Sequence, residues 1–122
     1  MPGVAPAALG RLGEEWARLH LEACGFHPVA QRHRTRHGEI DLVARRDDLL
    51  VFVEVKTRRG NACGRPEEAV TPAKMARLRR LAAAFLAERG GDGCRSFRFD
   101  VVAITFDGEG RGCRLEHFAG VR

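Results

Sequence analysis

The chain predicts a single α/β domain, a central mixed β-sheet flanked by helices. Three observations predict it. Two apolar runs carrying acids, Gly38–Ala44 and Val51–Lys56, read as neighbouring strands of a hairpin. Helical periodicity appears before and after that hairpin. A further apolar strand follows the second helix, and a strand–helix–strand order favours a right-handed parallel crossover. The 122 residues contain no repeat, linker or low-complexity segment, which fits one domain with a small but real core.

Residues 1–9 read as a flexible tail, and the domain as residues 10–122. The first helix is expected over 10–24, with Leu12, Trp16, Leu19 and Ala23 as its core-facing stripe. On this wheel Glu15 joins Arg11, Arg18 and Glu22 in the solvated sector. Glu14 lies at the boundary beside Leu21, which makes it the acid best placed to point into a site. The alternative for Glu14 is a capping or surface role. Gly25 ends the helix, and Phe26–Arg34 forms a first, weaker strand interrupted by Pro28.

Strands over 38–46 and 49–57 follow, joined by an Asp47-Asp48 turn. Gly60–Arg65 is a polar loop that either meets substrate or orders only on binding. Thr71-Pro72 starts the second helix, a capping residue followed by proline in the first turn. Met75, Leu78, Ala82, Phe85 and Leu86 form its apolar stripe, and Gly90-Gly91 stops it. Phe97–Ile104 is the next strand. A turn over Asp107–Gly112 leads to a last strand near Leu115–Phe118.

Acids set in apolar strands need an explanation, because an unpaired buried charge costs several kcal/mol. If Asp47 and Asp48 form the loop, Arg46 faces Leu49. Continuing that register sets Asp41 opposite Glu54 and Glu39 opposite Lys56. Directly opposed Cβ atoms lie roughly 4.5–5.5 Å apart, so Asp41 and Glu54 repel unless a cation sits between them. A one-residue slip would turn Asp41 to the other face. Alternation puts Glu54 and Lys56 on one face, with Val53 and Val55 on the other.

Two carboxylates and an ammonium on one patch suit phosphodiester hydrolysis. Carboxylate oxygens are hard ligands for Mg²⁺ or Mn²⁺, which polarise a phosphate and activate water. Lys56 then orients that water or stabilises developing charge. The alternative is a set of structural ion pairs at strand ends. Glu39 is either a further ligand or the partner of Lys56. Asp100, a second acid in an apolar strand, either completes the site or pairs with Arg98 or another basic group.

The chain is 44% hydrophobic and 30% charged, with net charge +5. No apolar run approaches the roughly 18 residues needed to span a membrane. Met1–Ala8 lacks a basic segment followed by a long apolar one, so it does not read as a secretory signal, and a cytoplasmic location is expected. Of 21 basic residues, Lys56 and Lys74 are the two lysines. Arg32, Arg34 and Arg36 precede the acidic hairpin, and Lys56, Arg58, Arg59 and Arg65 follow it. Positive clusters flanking an acidic patch match a phosphate-backbone binder, although a solvated face also produces such runs. Lys74, Arg77, Arg79 and Arg80 form a third cluster with no acid nearby in sequence. Cys24, Cys63, Cys94 and Cys113 are widely spaced and read as free thiols, with Cys24 expected in the core. The five histidines show no metal-ligand spacing.

The Asp41…Glu54-x-Lys56 hairpin resembles the core of the PD-(D/E)xK nuclease superfamily, which includes restriction endonucleases and archaeal-type Holliday-junction resolvases. A longer ordered pattern resembles the YraN-like family of small bacterial proteins. Its pieces are Gly13-Glu14 with Ala17, Gly25-Phe26, Arg32-His33-Arg34, Gly38–Leu42, Val51–Arg58, Glu68-Ala69-Val70, Lys74 and Arg98–Val102. Together they span about residues 10–104. Ile40 stands where the superfamily's name has proline. The resemblance implies a restriction-endonuclease-like fold and a Mg²⁺- or Mn²⁺-dependent DNA endonuclease. Asp41 and Glu54 would be its metal ligands, and Lys56 and Glu14 would join them in catalysis, with Glu39 and Asp100 as additional candidates. Arg32, Arg34, Arg36, Arg58 and Arg59 are the candidate DNA contacts. Analogy with resolvases suggests branched DNA and a homodimer. The alternatives are a nucleic-acid-binding module without turnover, or an adaptor that presents the fold to another protein.

Overall fold

A computed structural model describes residues 5–60, 70–107 and 112–122. Its elements are α1 (Pro6–Ala23), β1 (His27–Thr35), β2 (Gly38–Arg46), β3 (Leu49–Arg59), α2 (Pro72–Arg89), β4 (Ser96–Phe106) and β5 (Gly112–Phe118). The five strands form one sheet in the order β1-β2-β3-β4-β5. Neighbours are antiparallel except β3 and β4, which run parallel across the α2 crossover. The expected order of elements and the parallel pair are therefore present. The loop expected over Gly60–Arg65 beyond Gly60, together with Glu68 and Ala69, lies outside the described residues, as does most of the Asp107–Gly112 turn.

The two helices cover opposite faces of the sheet. Val51 and Val53 pack with Leu42, Ile104 and Phe106 under α1, whereas Leu50 and Phe52 pack with Val43 under Leu78, Leu81 and Phe85 of α2. A parallel strand pair covered on both faces requires apolar residues at successive positions, and β3 and β4 supply them. Phe52 anchors the α2 side, edge-on to Phe85 and stacked on Phe99.

The start of α2 is as expected. Thr71 Oγ1 accepts the Lys74 N–H at 3.2 Å, Pro72 occupies the first turn, and Gly90 closes the helix at φ 79°. In α1 the expected stripe is corrected. Leu12 is 37% exposed and Leu19 52% exposed, while the buried residues are Leu9, Gly13, Ala17 and Leu21. The physical reason is close approach. A Cβ on Gly13 would lie 2.3 Å from Thr57 Oγ1, so only a small side chain lets the helix settle this near the sheet. Trp16 instead covers the flank, 5.5 Å from the Phe106 ring.

Three further expectations are corrected. The helix begins at Pro6, not residue 10, and buries Leu9, so part of the expected tail belongs to the domain. Proline suits the first helical turn because its missing N–H has no partner there. Cys24 is exposed rather than in the core. It caps the C-terminus of α1, and Gly25 at φ 91° turns the chain away immediately after it. Pro28 does not interrupt β1, because β1 is an edge strand and absorbs it in a register shift between Pro28 and Ala30. Among the described residues, no helix is long and apolar enough to cross a membrane.

Candidate functional site

The β2–β3 hairpin has the register predicted from the Asp47-Asp48 turn, with Arg46 opposite Leu49 and Leu42 opposite Val53. The ladder stops there. Asp41 and Glu54 are not ladder partners, because the strands separate at the point where their charges would have been opposed. The alternation of β2 also breaks at Asp41. Ile40 packs on the α2 side and Leu42 on the α1 side, although two residues apart in a regular strand would share a face. In the opening, Asp41 Oδ2 accepts the backbone N–H of Val55 at 2.8 Å, replacing a ladder bond that separation removed.

Three carboxylates gather at this opening. Glu14 comes from α1, and Glu39 and Asp41 come from β2, with one oxygen of each within 4.8 Å of the others. Glu14 and Asp41 line a cleft of about 210 Å³ together with Arg11, Glu15, Gln31 and Arg32, and Glu39 lies beside it. Arg32 Nε lies 3.3 Å from Glu14 and 3.7 Å from Glu39. Its φ of 48° is unusual for a residue with a side chain, and Gln31 and Arg32 both reach the cleft despite being adjacent in a strand. The site is thus an acidic floor with arginines at its rim.

Crowding of negative charge appears in the titration of these groups. Burial pushes the Asp41 carboxyl up to about 6, and Glu14 and Glu54 push it the same way. The Val55 N–H and Arg77 oppose that rise without cancelling it. Glu14 is raised above the ordinary carboxylate range, chiefly by burial and in smaller part by Glu39, against the pull of Arg32 and Arg11. Such an arrangement favours a cation and is strained without one.

Glu54 and Lys56 share the face of β3 opposite Val53 and Val55, as alternation predicted. Glu54 Oε1 accepts from Arg77 Nη1 of α2 at 3.0 Å, and Glu54 Oε2 is buried with no hydrogen-bond partner. Lys74, one turn earlier on α2, is held below the usual lysine range by burial and by Lys56, although Glu54 draws it the other way. Lys56 and Glu54 therefore both lie near Lys74. The expected pairing of Glu39 with Lys56 does not form, because Glu39 turns toward Arg32 once the strands separate. The third basic cluster does have an acid nearby in space. Arg77 meets Glu54 across 23 residues of sequence. The signal available in the sequence was helical spacing, since Lys74 and Arg77 sit one turn apart beside Leu78 and Leu81, the residues that face the sheet.

Asp100 belongs to a different constellation. It is fully buried, and Arg98 Nε and Nη2 donate to its two oxygens at 2.8 and 2.9 Å. The Gly120 N–H reaches it at 3.0 Å, and His117 Nε2 lies 2.7 Å away. Burial would raise its pKa, but hydrogen bonds from His117, Arg98 and Gly120 outweigh that and hold it below the ordinary range. Of the candidate arginines, Arg32, Arg34 and Arg36 are exposed and Arg59 is half-buried. Arg58 is 9% exposed, and as folded it presents little guanidinium to a phosphate in solvent.

A family model described as "Uncharacterised protein family UPF0102" matches residues 13–104, which include every carboxylate of the cleft. Full-length similarity agrees with it. The chain is 49% identical over 110 residues to a UPF0102 protein of Pelotomaculum thermopropionicum, covering 90% of this chain and 91% of that one. It is 47% identical to one from Acidothermus cellulolyticus over 98% of each chain. A relative from Beutenbergia cavernae is 50% identical over 96% of this chain and 98% of its own. On these matches, the chain belongs to the UPF0102 family.

Proposed function

We propose that this protein is a Mg²⁺- or Mn²⁺-dependent DNA endonuclease with a restriction-endonuclease-like fold. The observation that carries the proposal is the convergence of the Glu14, Glu39 and Asp41 carboxylates to within 4.8 Å of one another at the opening of the β2–β3 hairpin, beside a cleft that Glu14 and Asp41 line, with Glu54 and Lys56 on β3.

The residues fit a hard divalent cation. All the donors are carboxylate oxygens; Glu54 Oε2 is buried without a hydrogen-bond partner, and Glu14 Oε1 has the Arg32 ion pair at 3.3 Å but no hydrogen bond. Asp41, with its raised pKa, gains most from a neighbouring positive charge. Asp41 and Glu54 would hold the ion, with Glu14 and Glu39 completing or supporting the set. The chemistry such an ion supplies when bound is polarisation of the scissile phosphate and activation of water. Lys56 orients the attacking water and stabilises charge on the phosphate as it develops. The Val55 N–H holds Asp41 in one orientation, so the carboxylate does not have to be ordered during the reaction. Arg32, Arg34, Arg36 and Arg59 take the flanking phosphates, with Arg58 contributing charge from within the fold. Branched DNA as substrate and a homodimer as the acting form rest on analogy with resolvases.

The test is cleavage of labelled linear, flapped and four-way-junction DNA with Mg²⁺, Mn²⁺ or EDTA, beside Asp41→Ala, Glu54→Ala and Lys56→Ala. Metal-dependent products that disappear in all three variants are expected. Unchanged cleavage by Asp41→Ala would overturn the site. One observation favours a second reading, a binding module without turnover: Glu54 is already engaged by Arg77. That protein would bind DNA in a salt-dependent manner and leave it intact under every metal.

A further inference from the structure

We propose that His20, Cys24 and His117 form a second metal site, chemically distinct from the carboxylate cleft, that takes a soft or borderline divalent ion such as Zn²⁺. His20 lies on α1 and His117 on β5, 97 residues later, yet His20 Nε2 and His117 Nδ1 face each other at 3.0 Å. The rings meet edge-on, with centroids 5.0 Å apart. Cys24 follows His20 by one helical turn, with Sγ 3.8 Å from the same Nε2.

The orientation of His117 is fixed by its other nitrogen. Nε2 lies 2.7 Å from Asp100 Oδ2, and Asp100 is itself held by Arg98 and by the Gly120 N–H. With Asp100 ionised, Nε2 of His117 carries the proton and donates it. That tautomer leaves the lone pair on Nδ1, 3.0 Å from His20 Nε2. A carboxylate behind a histidine whose second nitrogen faces outward is the arrangement that orients imidazole toward a metal.

Two of the three donor spacings approach those around a tetrahedral ion. Bonds of about 2.05 Å to nitrogen and 2.3 Å to sulfur give edges of about 3.3 Å between two nitrogens and about 3.6 Å between nitrogen and sulfur. The observed 3.0 and 3.8 Å lie within a few tenths of an ångström of those edges, whereas Cys24 Sγ lies more than 4.8 Å from His117 Nδ1 and must rotate inward to complete the set. Cys24 is the outlying donor, since among the described residues only Glu14, Glu39 and Asp41 already bring three such atoms within 4.8 Å of one another. Cys24 is exposed, so its side chain is free to rotate onto an ion held by the two histidines, and water fills the fourth position. Imidazole and thiolate select against Mg²⁺, and the cleft's carboxylates select for it, so the two sites divide the available ions by hardness. Bound here, Zn²⁺ ties the C-terminal end of α1 to β5.

The test is Zn²⁺ affinity of the full chain, measured against a chromophoric chelator in excess Mg²⁺, with Co²⁺ absorption as a second readout. Wild type and Asp41→Asn should each bind one ion per chain and show a thiolate-to-cobalt charge-transfer band. Cys24→Ser should lose the band, and both Cys24→Ser and His20→Gln should weaken binding at least about tenfold. Both substitutions fall at partly or fully exposed positions, so folding is checked independently by circular dichroism. Absence of a Zn²⁺ site in wild type would overturn the proposal. So would unchanged affinity in either Cys24→Ser or His20→Gln, or a loss of binding confined to Asp41→Asn.

Discussion

Asp41 on β2 accepts the backbone N–H of Val55 on β3 at 2.8 Å, immediately beyond the last ladder pair of the hairpin. The two strands separate there, and a side chain takes over the work of a main-chain carbonyl. This relationship holds an acid in place at the mouth of a cleft where two other acids crowd it. It also sets the first prediction.

The raised carboxyl of Asp41 makes the metal-free fold less stable as pH increases. Its folded pKa of about 6 exceeds the ordinary value of 3.8, so the native state binds the proton more tightly than the unfolded chain. The associated stability is fully present below the unfolded value and is lost as pH rises through about 6. A shift of this size corresponds to roughly 3 kcal/mol at most. Asp41→Asn retains an acceptor for Val55 and removes the titration. In EDTA at pH 7.5 it should be more stable than wild type by on the order of 2 kcal/mol, a gain that vanishes near pH 4. Urea denaturation at several pH values measures this, and a flat difference across pH would contradict it.

Arg77 competes with a bound cation for Glu54, because both neutralise the same carboxylate. Arg77→Ala should tighten Mn²⁺ binding several-fold, whereas Glu54→Ala should weaken it by more than about tenfold. Titration followed by electron paramagnetic resonance reads both. Weaker Mn²⁺ binding in Arg77→Ala would show that the arginine supports the site instead of competing for it.

Gly13→Ala should destabilise the fold by up to about 2 kcal/mol. Alanine gains about 1 kcal/mol of helix propensity over glycine, but its methyl would meet Thr57 Oγ1 at 2.3 Å, and overpacking of this kind typically costs about 1–3 kcal/mol. Gly13→Ala combined with Thr57→Ala should recover most of the loss, since the offending oxygen is gone. Additive losses in a double-mutant cycle would refute the contact.

Asp100→Ala should cost about 3 kcal/mol or more, because it removes a buried charge that Arg98, His117 and Gly120 all meet. Its pH dependence runs opposite to that of Asp41. The folded pKa is lowered, so the stability is present above the ordinary carboxylate range and fades as pH falls through the folded value. Asp100→Ala should therefore be less acid-sensitive than wild type, as thermal melts between pH 3 and 7 would measure.

The hairpin was legible in the sequence because its cues are local. The Asp47-Asp48 turn set the register from Arg46–Leu49 to Leu42–Val53, and alternation set Glu54 and Lys56 on one face. Glu14 was legible for a related reason, as a boundary position on a helical wheel reflects geometry within a single element. The face of α1 was misread because propensity and hydropathy rank Leu12 and Leu19 above Gly13 and Ala17. Close packing against Thr57 rewards the absence of a side chain, and that reward exists only once the sheet is there. Cys24 was misread because a residue one position past a helix follows the turn, not the helix's periodicity.

Sequence alone determined the order of elements, the α/β class with one parallel strand pair, and the acids and lysine that β2 and β3 carry, because periodicity, turn chemistry and capping act over a few residues. Tertiary structure alone decided that the strands open at Asp41 and that Glu39 joins Glu14 rather than Lys56. It also decided that Arg77 reaches Glu54 and that His20 meets His117. Each of those contacts depends on how helices dock on a twisted sheet, and docking is fixed by shape and charge between segments that the sequence leaves far apart.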